Sequence, residues 1–186
     1  MANCLDVKPD HRLPLHSPVV RDEVDRIVES WNRERPDLDV APMSVLSRVT
    51  RLAWHVERAR RAAFAEHELE AFEFDVLVAL RRSGGRHELS PGQLAEATLV
   101  TSGTMTNRLD RLERRGLVRR LPDPHDGRAV RVRLSAAGRS RADAALADLL
   151  DRERALLAGL TERQRATLAD LLRRVVTAYA GGETDG

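Results

Sequence analysis

Ser102, Thr104, Thr106, Asn107 and Arg111 stand together in the run TSGTMTNRLDR, which gathers short hydroxyls, an amide and guanidinium groups in one place. Groups of this kind suit the edges of bases and the phosphates of double-stranded DNA. An asparagine amide pairs with adenine through two hydrogen bonds, an arginine fork does the same with guanine, and a hydroxyl serves phosphate or several bases. Another candidate, Arg128, follows Asp126-Gly127 in a segment rich in turn residues, where a guanidinium on a hairpin tip fits a narrow minor groove. The charge distribution agrees. From Thr101 to Leu134 nine arginines face four acids, so this stretch carries +5 while the whole chain carries +2. The plainer alternative is that arginine is the general-purpose base of this chain and lies on solvated faces.

Other chemistry finds little support. His55, His67, His87 and His125 are scattered, and neither a glycine-rich phosphate loop nor a nucleophile motif is present. Cys4 is the sole cysteine, so an intrachain disulfide or a cysteine-rich zinc site is excluded, and its place near the N-terminus argues against thiol oxidation as a switch. No enzyme, cofactor or metal is expected. The chain has no apolar run near the ~20 residues of a membrane span and no signal-peptide core, so a cytoplasmic protein without a membrane partner is expected.

The elements that would position these residues are mostly helical. Hydrophobic residues make up 42% and aromatics only 3%, with alanine, leucine and arginine prominent, all strong helix formers. Residues 1–17 hold Pro9 and Pro14, with Pro18 next, show no periodicity and are expected to be disordered. Val24, Ile27, Val28 and Trp31 recur at helical spacing in a segment, 18–41, that supplies an additional N-terminal helix stopping before Pro36. After Pro42, Val45, Leu46, Val49, Leu52, Ala53, Val56, Ala63 and Phe64 mark one long helix, and Phe72, Val76, Leu77 and Leu80 mark a helix ending at Ser83-Gly84-Gly85. Ser90-Pro91-Gly92-Gln93 reads as a capping box with proline in the first turn. Leu94, Ala95 and Leu99 form the buried side of that short helix. A turn at Val100 and Thr101 leads to a helix capped by Ser102, with Met105, Leu109 and Leu112 inward, and Gly116 ends it. Two short helices across a tight turn form a helix-turn-helix.

The period then changes. Val130, Val132 and Leu134 alternate with Arg131 and Arg133, and Leu117 to Leu121 offers a partner strand across a Pro/Asp/Gly turn, which makes a β-hairpin wing. Ser135 starts a long helix, and Thr161-Glu162-Arg163-Gln164 caps another with Leu168, Leu171, Leu172, Val175 and Val176 on one face. The expected fold is therefore mainly α with a small β-wing: a winged helix-turn-helix lobe over 69–134, with helices over 42–68 and 135–180 that need apolar partners. An intertwined homodimer supplies those partners, and an intramolecular bundle is the alternative.

The run from Leu89 to Arg139, LSPGQLAEATLVTSGTMTNRLDRLERRGLVRRLPDPHDGRAVRVRLSAAGR, resembles the winged-helix core of the multiple antibiotic resistance regulator (MarR) family, and the flanking helices resemble its dimerisation elements. The resemblance implies a homodimer that places its recognition helices in successive major grooves of a pseudo-palindromic operator, usually as a repressor. The wing departs from the family pattern: His125 and Gly127 stand where two arginines are usual, which puts the weight on Arg128. The N-terminal extension resembles the urate-responsive, PecS-like branch of the family. That likeness implies a ligand site made of Trp31, in ESWNRERPDLD; Asp75, in FDVLVALRRSG; Arg108, in TNRLDRL; and Arg120, after GLVRR. Guanidiniums grip a planar or carboxylate-bearing anion by paired hydrogen bonds, and an indole offers an apolar face. The implied effector is a small anionic metabolite, urate or a carboxylate such as trans-aconitate or citrate. Through Arg108 it would shift the recognition helix and release DNA. The alternatives are a regulator of this fold without ligand control and a winged helix that binds protein. The natural effector, the operator and its genes, repression as against activation, and any role of Cys4 are not set by the sequence.

Overall fold

The structure, a computed structural model, describes residues 21–124, 126 and 129–180, with the last two residues as backbone alone. The expected disorder of residues 1–17, Cys4 and the wing residue Arg128 lie outside the described residues. Contacts divide the chain into two units, residues 1–52 and 53–186.

In the first unit, helix α1 (Glu23–Glu34) begins at Asp22 in a reciprocal capping box. The Asp25 N–H donates to Asp22 Oδ1 at 3.1 Å and the Asp22 N–H donates to Asp25 Oδ2 at 2.9 Å. The helix ends ahead of Pro36, as its spacing predicts. Helix α2 (Ala41–Glu66) follows, and its first turns belong to this unit. Arg48 on α2 reaches back to α1, donating to Asp22 at 2.8 and 2.9 Å and to Asp25 at 2.7 Å. Hydrogen bonds from Arg48, and then from the Asp25 N–H, hold the Asp22 carboxyl down from its ordinary 3.8 to about 2. A group with a depressed native value stabilises the fold above its ordinary pKa and loses that contribution as pH falls through the native one. The tie between α1 and α2 is therefore expected to weaken between about pH 4 and pH 2. Carboxyl NMR titration checks this: Asp22 titrates near 2 in the native chain and moves toward its ordinary value in Arg48→Ala, which keeps the Asp25 N–H bond.

The second unit holds the apolar core. Helices α3 (Ala71–Arg82), α4 (Pro91–Ala97), α5 (Ser102–Arg114) and α6 (Ala136–Leu156) surround a three-stranded antiparallel sheet of β1 (Glu88–Leu89), β2 (Val118–Pro122) and β3 (Val130–Leu134) in the order β1-β3-β2. The hairpin register pairs Val118 with Leu134 and Arg120 with Val132. Alternation along β3 buries Val132 and Leu134 and leaves the arginines between them on the other face. Phe64, Leu77, Leu80, Leu94, Met105, Leu109, Leu112 and Leu117 form the centre of the core. The expected wing strands are present. The short strand β1, which covers the free edge of β3, was not visible in the sequence, because two residues carry no period.

Two local expectations need correction. Thr101, not Ser102, caps α5: its side chain accepts from the Thr104 N–H at 3.3 Å, and Ser102 is the first helical residue. Leu99 is not part of the buried side of α4; it is 93% exposed and has φ of +53°. The chain leaves α4 through a left-handed residue, with the Val100 N–H donating to the Ala95 carbonyl at 3.0 Å. A left-handed residue at this place swings its side chain away from the core, and Val100 takes the inward position instead.

Helix α6 starts at Ser135, whose hydroxyl accepts from the Gly138 N–H at 2.9 Å. Helix α7 (Glu162–Ala180) opens on the expected Thr161 and Gln164 box. The side chains described for α7 include none that is buried, and Leu171, Leu172, Val175 and Val176 stand exposed along it. Val45, Leu46, Val49 and Leu52 are likewise exposed on the part of α2 in the first unit. No helix among the described residues is long and apolar enough to cross a membrane.

Candidate nucleic-acid interface

Helix α5 is held through three apolar anchors. Met105, Leu109 and Leu112 are fully buried, and because successive residues turn by about 100° they define one inward line. Positions on the two flanks of that line are engaged by neighbouring elements. On one flank Arg108, Arg111 and Arg115, spaced 3 and 4 apart, lie against the start of α3. The Arg108 guanidinium sits 5.3 Å from the Phe72 ring centre and that of Arg111 sits 4.8 Å from it. Arg111 also pairs with Glu70, and Arg115 pairs with Glu73 and donates to the Glu68 carbonyl at 2.7 Å. On the other flank Asp110 and Glu113 accept from the Arg120 guanidinium of β2 at 2.6 and 2.7 Å, and Glu113 also accepts from the Arg120 N–H at 2.9 Å.

These contacts set the electrostatics. The backbone N–H of Arg120, with its guanidinium, holds the Glu113 carboxyl below its ordinary value against the opposing effect of partial burial. Burial pulls the Arg120 pKa down, and its bonds to Asp110 and Glu113 outweigh that, leaving it above the ordinary value. Both groups are ionised at neutral pH, and the clasp between α5 and the wing is a charged one.

The surface left open on α5 carries most of the residues singled out by sequence. Ser102, Thr104, Thr106 and Asn107 are exposed. Thr106 donates its hydroxyl to the Ser102 carbonyl at 3.1 Å, and the Thr104 hydroxyl accepts from that of Thr101 at 3.0 Å. Arg111 is also exposed, but its guanidinium is shared between Glu70 and Phe72.

In the other set, the residues of the implied ligand site, Asp75 pairs with neither Arg108 nor Arg120. Asp75 pairs with Arg60 of α2 at 3.3 Å, Arg120 pairs with the two acids of α5, and Arg108 lies on Phe72. Phe72 and Asp75 are three residues apart on α3 and so share a side of it. Trp31 lies in the first unit and is 46% exposed. Sequence reasoning missed Arg60, Glu70, Phe72 and Glu73 as members of this charged cluster. Phe72 reads as an ordinary core position from its spacing, and pairs across 15 to 42 residues leave no local signal. No group of histidines, cysteines and carboxylates that could hold a metal occurs among the described residues.

Comparison with known proteins decides the family. Residues 69–129 match the MarR family model. The transcriptional regulator PecS of Dickeya dadantii is 39% identical over 132 residues, covering 71% of this chain and 80% of PecS. The chain belongs to the MarR family. Within it the likeness to PecS places the chain in the PecS-like branch, and its fold is the winged helix of MarR proteins. A MarR point mutant from E. coli, solved with operator DNA, superposes with a TM-score of 0.60 at 27% identity over 78% of this chain and 96% of that one. BpsR of Bordetella bronchiseptica, from a structure concerned with regulation of DNA binding by 6-hydroxynicotinic acid, gives 0.56 at 27% identity over 70% and 91%. MarR proteins are DNA-binding transcription regulators, not enzymes.

Proposed function

We propose that this MarR protein is a homodimeric repressor that binds a pseudo-palindromic operator and is released from it by a small anionic metabolite. The observation that carries this reading is the state of α5. Its polar outer face is open at Ser102, Thr104, Thr106 and Asn107, while both flanks are clasped by charged contacts to α3 and β2. A helix so held presents fixed groups to a major groove and moves when its clasps are disturbed. The dimer is supported by the apolar faces of α2 and α7, which stand exposed among the described residues. Arg128 is proposed as the wing contact and Arg111 as a contact that exchanges Glu70 for DNA.

The effector reading rests on Asp75, Arg108 and Arg120, with Trp31 added from the family likeness. Arg108 has no carboxylate partner among the described residues, so an anion gains a charge-assisted hydrogen bond there at little cost. An anion that also draws on Arg120 competes with Asp110 and Glu113 and so loosens the recognition helix. DNA release then follows by linkage, with a coupling of about 1–3 kcal/mol. Urate, trans-aconitate and citrate are the effector candidates.

Fluorescence anisotropy on the DNA upstream of its own gene tests the whole reading. Binding that weakens steeply with salt is expected, with a 5- to 150-fold loss of affinity on adding one of the three anions and no such loss in Arg120→Ala. Tight DNA binding that ignores every anion would make the protein a regulator without this ligand control. Failure to bind DNA would point to a winged helix that engages protein.

A further inference from the structure

Gly103 has no structural reason to be a glycine. Its backbone is helical, inside the first turn of α5, with no positive φ of the kind seen at Gly84, Gly85 and Gly116. A side-chain carbon added there would meet nothing within 4 Å, whereas the same atom at Gly138 would collide with the Leu117 carbonyl. Glycine inside a helix weakens it relative to alanine, through the larger entropy of the unfolded chain. The fold therefore bears a cost at this position and receives nothing in return.

The position of Gly103 on the helix says what the vacancy serves. Turning by about 100° per residue, Gly103 and Asn107 fall on the side opposite Met105, Leu109 and Leu112, between the flank clasped by α3 and the flank clasped by β2. This is the line of α5 farthest from the protein, and Asn107 lies one turn beyond Gly103 on it. We propose that Gly103 is a specificity-determining residue of the operator interface: its bare Cα lets a base edge in the major groove lie against the α5 backbone. That close approach brings the Asn107 amide within reach of its base, and any side chain at 103 holds the helix off. The inference rests on the DNA-binding reading above and adds the residue that sets the depth of the helix in the groove.

The test compares Gly103→Ala with the native chain on the duplex that the native chain selects from a randomised pool, and on unrelated duplex of the same length. Operator affinity is expected to fall tenfold or more while affinity for unrelated DNA changes less than twofold, because non-specific binding rests on phosphates. Thermal stability is expected to rise by about 1–4 °C in the same variant. Loss of function together with a gain in stability cannot come from a damaged fold. Operator binding within twofold of native would overturn the proposal, and so would an equal loss on both duplexes, which would mark a general phosphate approach. If the native chain selects no duplex at all, the DNA-binding reading itself fails and takes this one with it; a native chain that binds while Gly103→Ala binds equally well sinks this one alone.

Discussion

Arg115→Ala is expected to destabilise the second unit by about 3 kcal/mol, the low end of the range for removing one partner of a buried ion pair, because Glu73 is buried while Arg115 is about a third exposed. Glu73 is 0% exposed, and the Arg115 guanidinium supplies its counter-charge, while its Oε1 has no hydrogen-bond partner among the described residues. Its other oxygen also accepts from the Glu70 N–H at 3.0 Å, closing the first turn of α3. Removing Arg115 leaves a carboxylate in an apolar environment with one backbone donor. At 2–4 °C per kcal/mol for a chain of this size, the melting temperature should fall by roughly 10 °C. The double variant Arg115→Ala with Glu73→Gln is expected to recover most of the loss, since a neutral amide keeps the capping contact and needs no counter-charge. Urea unfolding of the four proteins in the cycle measures both effects. A loss below about 1 kcal/mol in the single variant would mean that Glu73 is not carrying a buried charge.

The other large effect is expected at Gly138. This residue packs its backbone against the end of the α5 to β2 connection, where a methyl group would lie 2.1 Å from the Leu117 carbonyl oxygen and 3.0 Å from Leu134 Cδ1. The obstacle is backbone, held by the Ser135 N–H donating to that same Leu117 carbonyl at 3.1 Å and by the Ser135 hydroxyl donating to the Gly116 carbonyl at 2.7 Å. The start of α6 therefore has to move away from the wing. Gly138→Ala is expected to cost about 3 kcal/mol, at the upper end of ordinary overpacking. In a helix with room for it, the same change would stabilise by up to about 1 kcal/mol. Thermal unfolding decides the sign. A more stable variant would show that α6 can slide along the sheet, and hydrogen exchange at Ser135 and Gly138 would locate that freedom.

How much of this could be read in the sequence depended on the range of the interaction. Helices with a clear side-chain cap, such as those opened by Ser90 in a capping box and by Ser135 in a single cap, appear where their residues predict. Local hydrogen bonds between positions three apart fix them before any tertiary contact forms. Leu99 failed because periodicity counts it as apolar and inward, while the turn geometry needs a left-handed residue that no pattern of hydrophobicity encodes. Strand β1 failed because it exists only through its pairing with β3. Along α5 the exposed residues were legible by type, but their partners were not. Nothing local ties Arg115 to Glu73 or Arg111 to Glu70; only the fold brings those carboxylates near.

The ion pairs around α5 change what a distant polyanion would feel. Glu70, Glu73 and Glu88 lie outside the arginine-rich stretch in sequence, yet they pair with Arg111, Arg115 and Arg133 of it. With those three carboxylates included, the local charge falls from the +5 of the stretch to +2. Diffusional capture scales with the field beyond the surface, so a lobe neutralised in this way gains little acceleration of encounter from its many arginines. Most of the described ones act as internal ties, and on the proposed DNA-binding reading discrimination among sequences falls to short-range contacts.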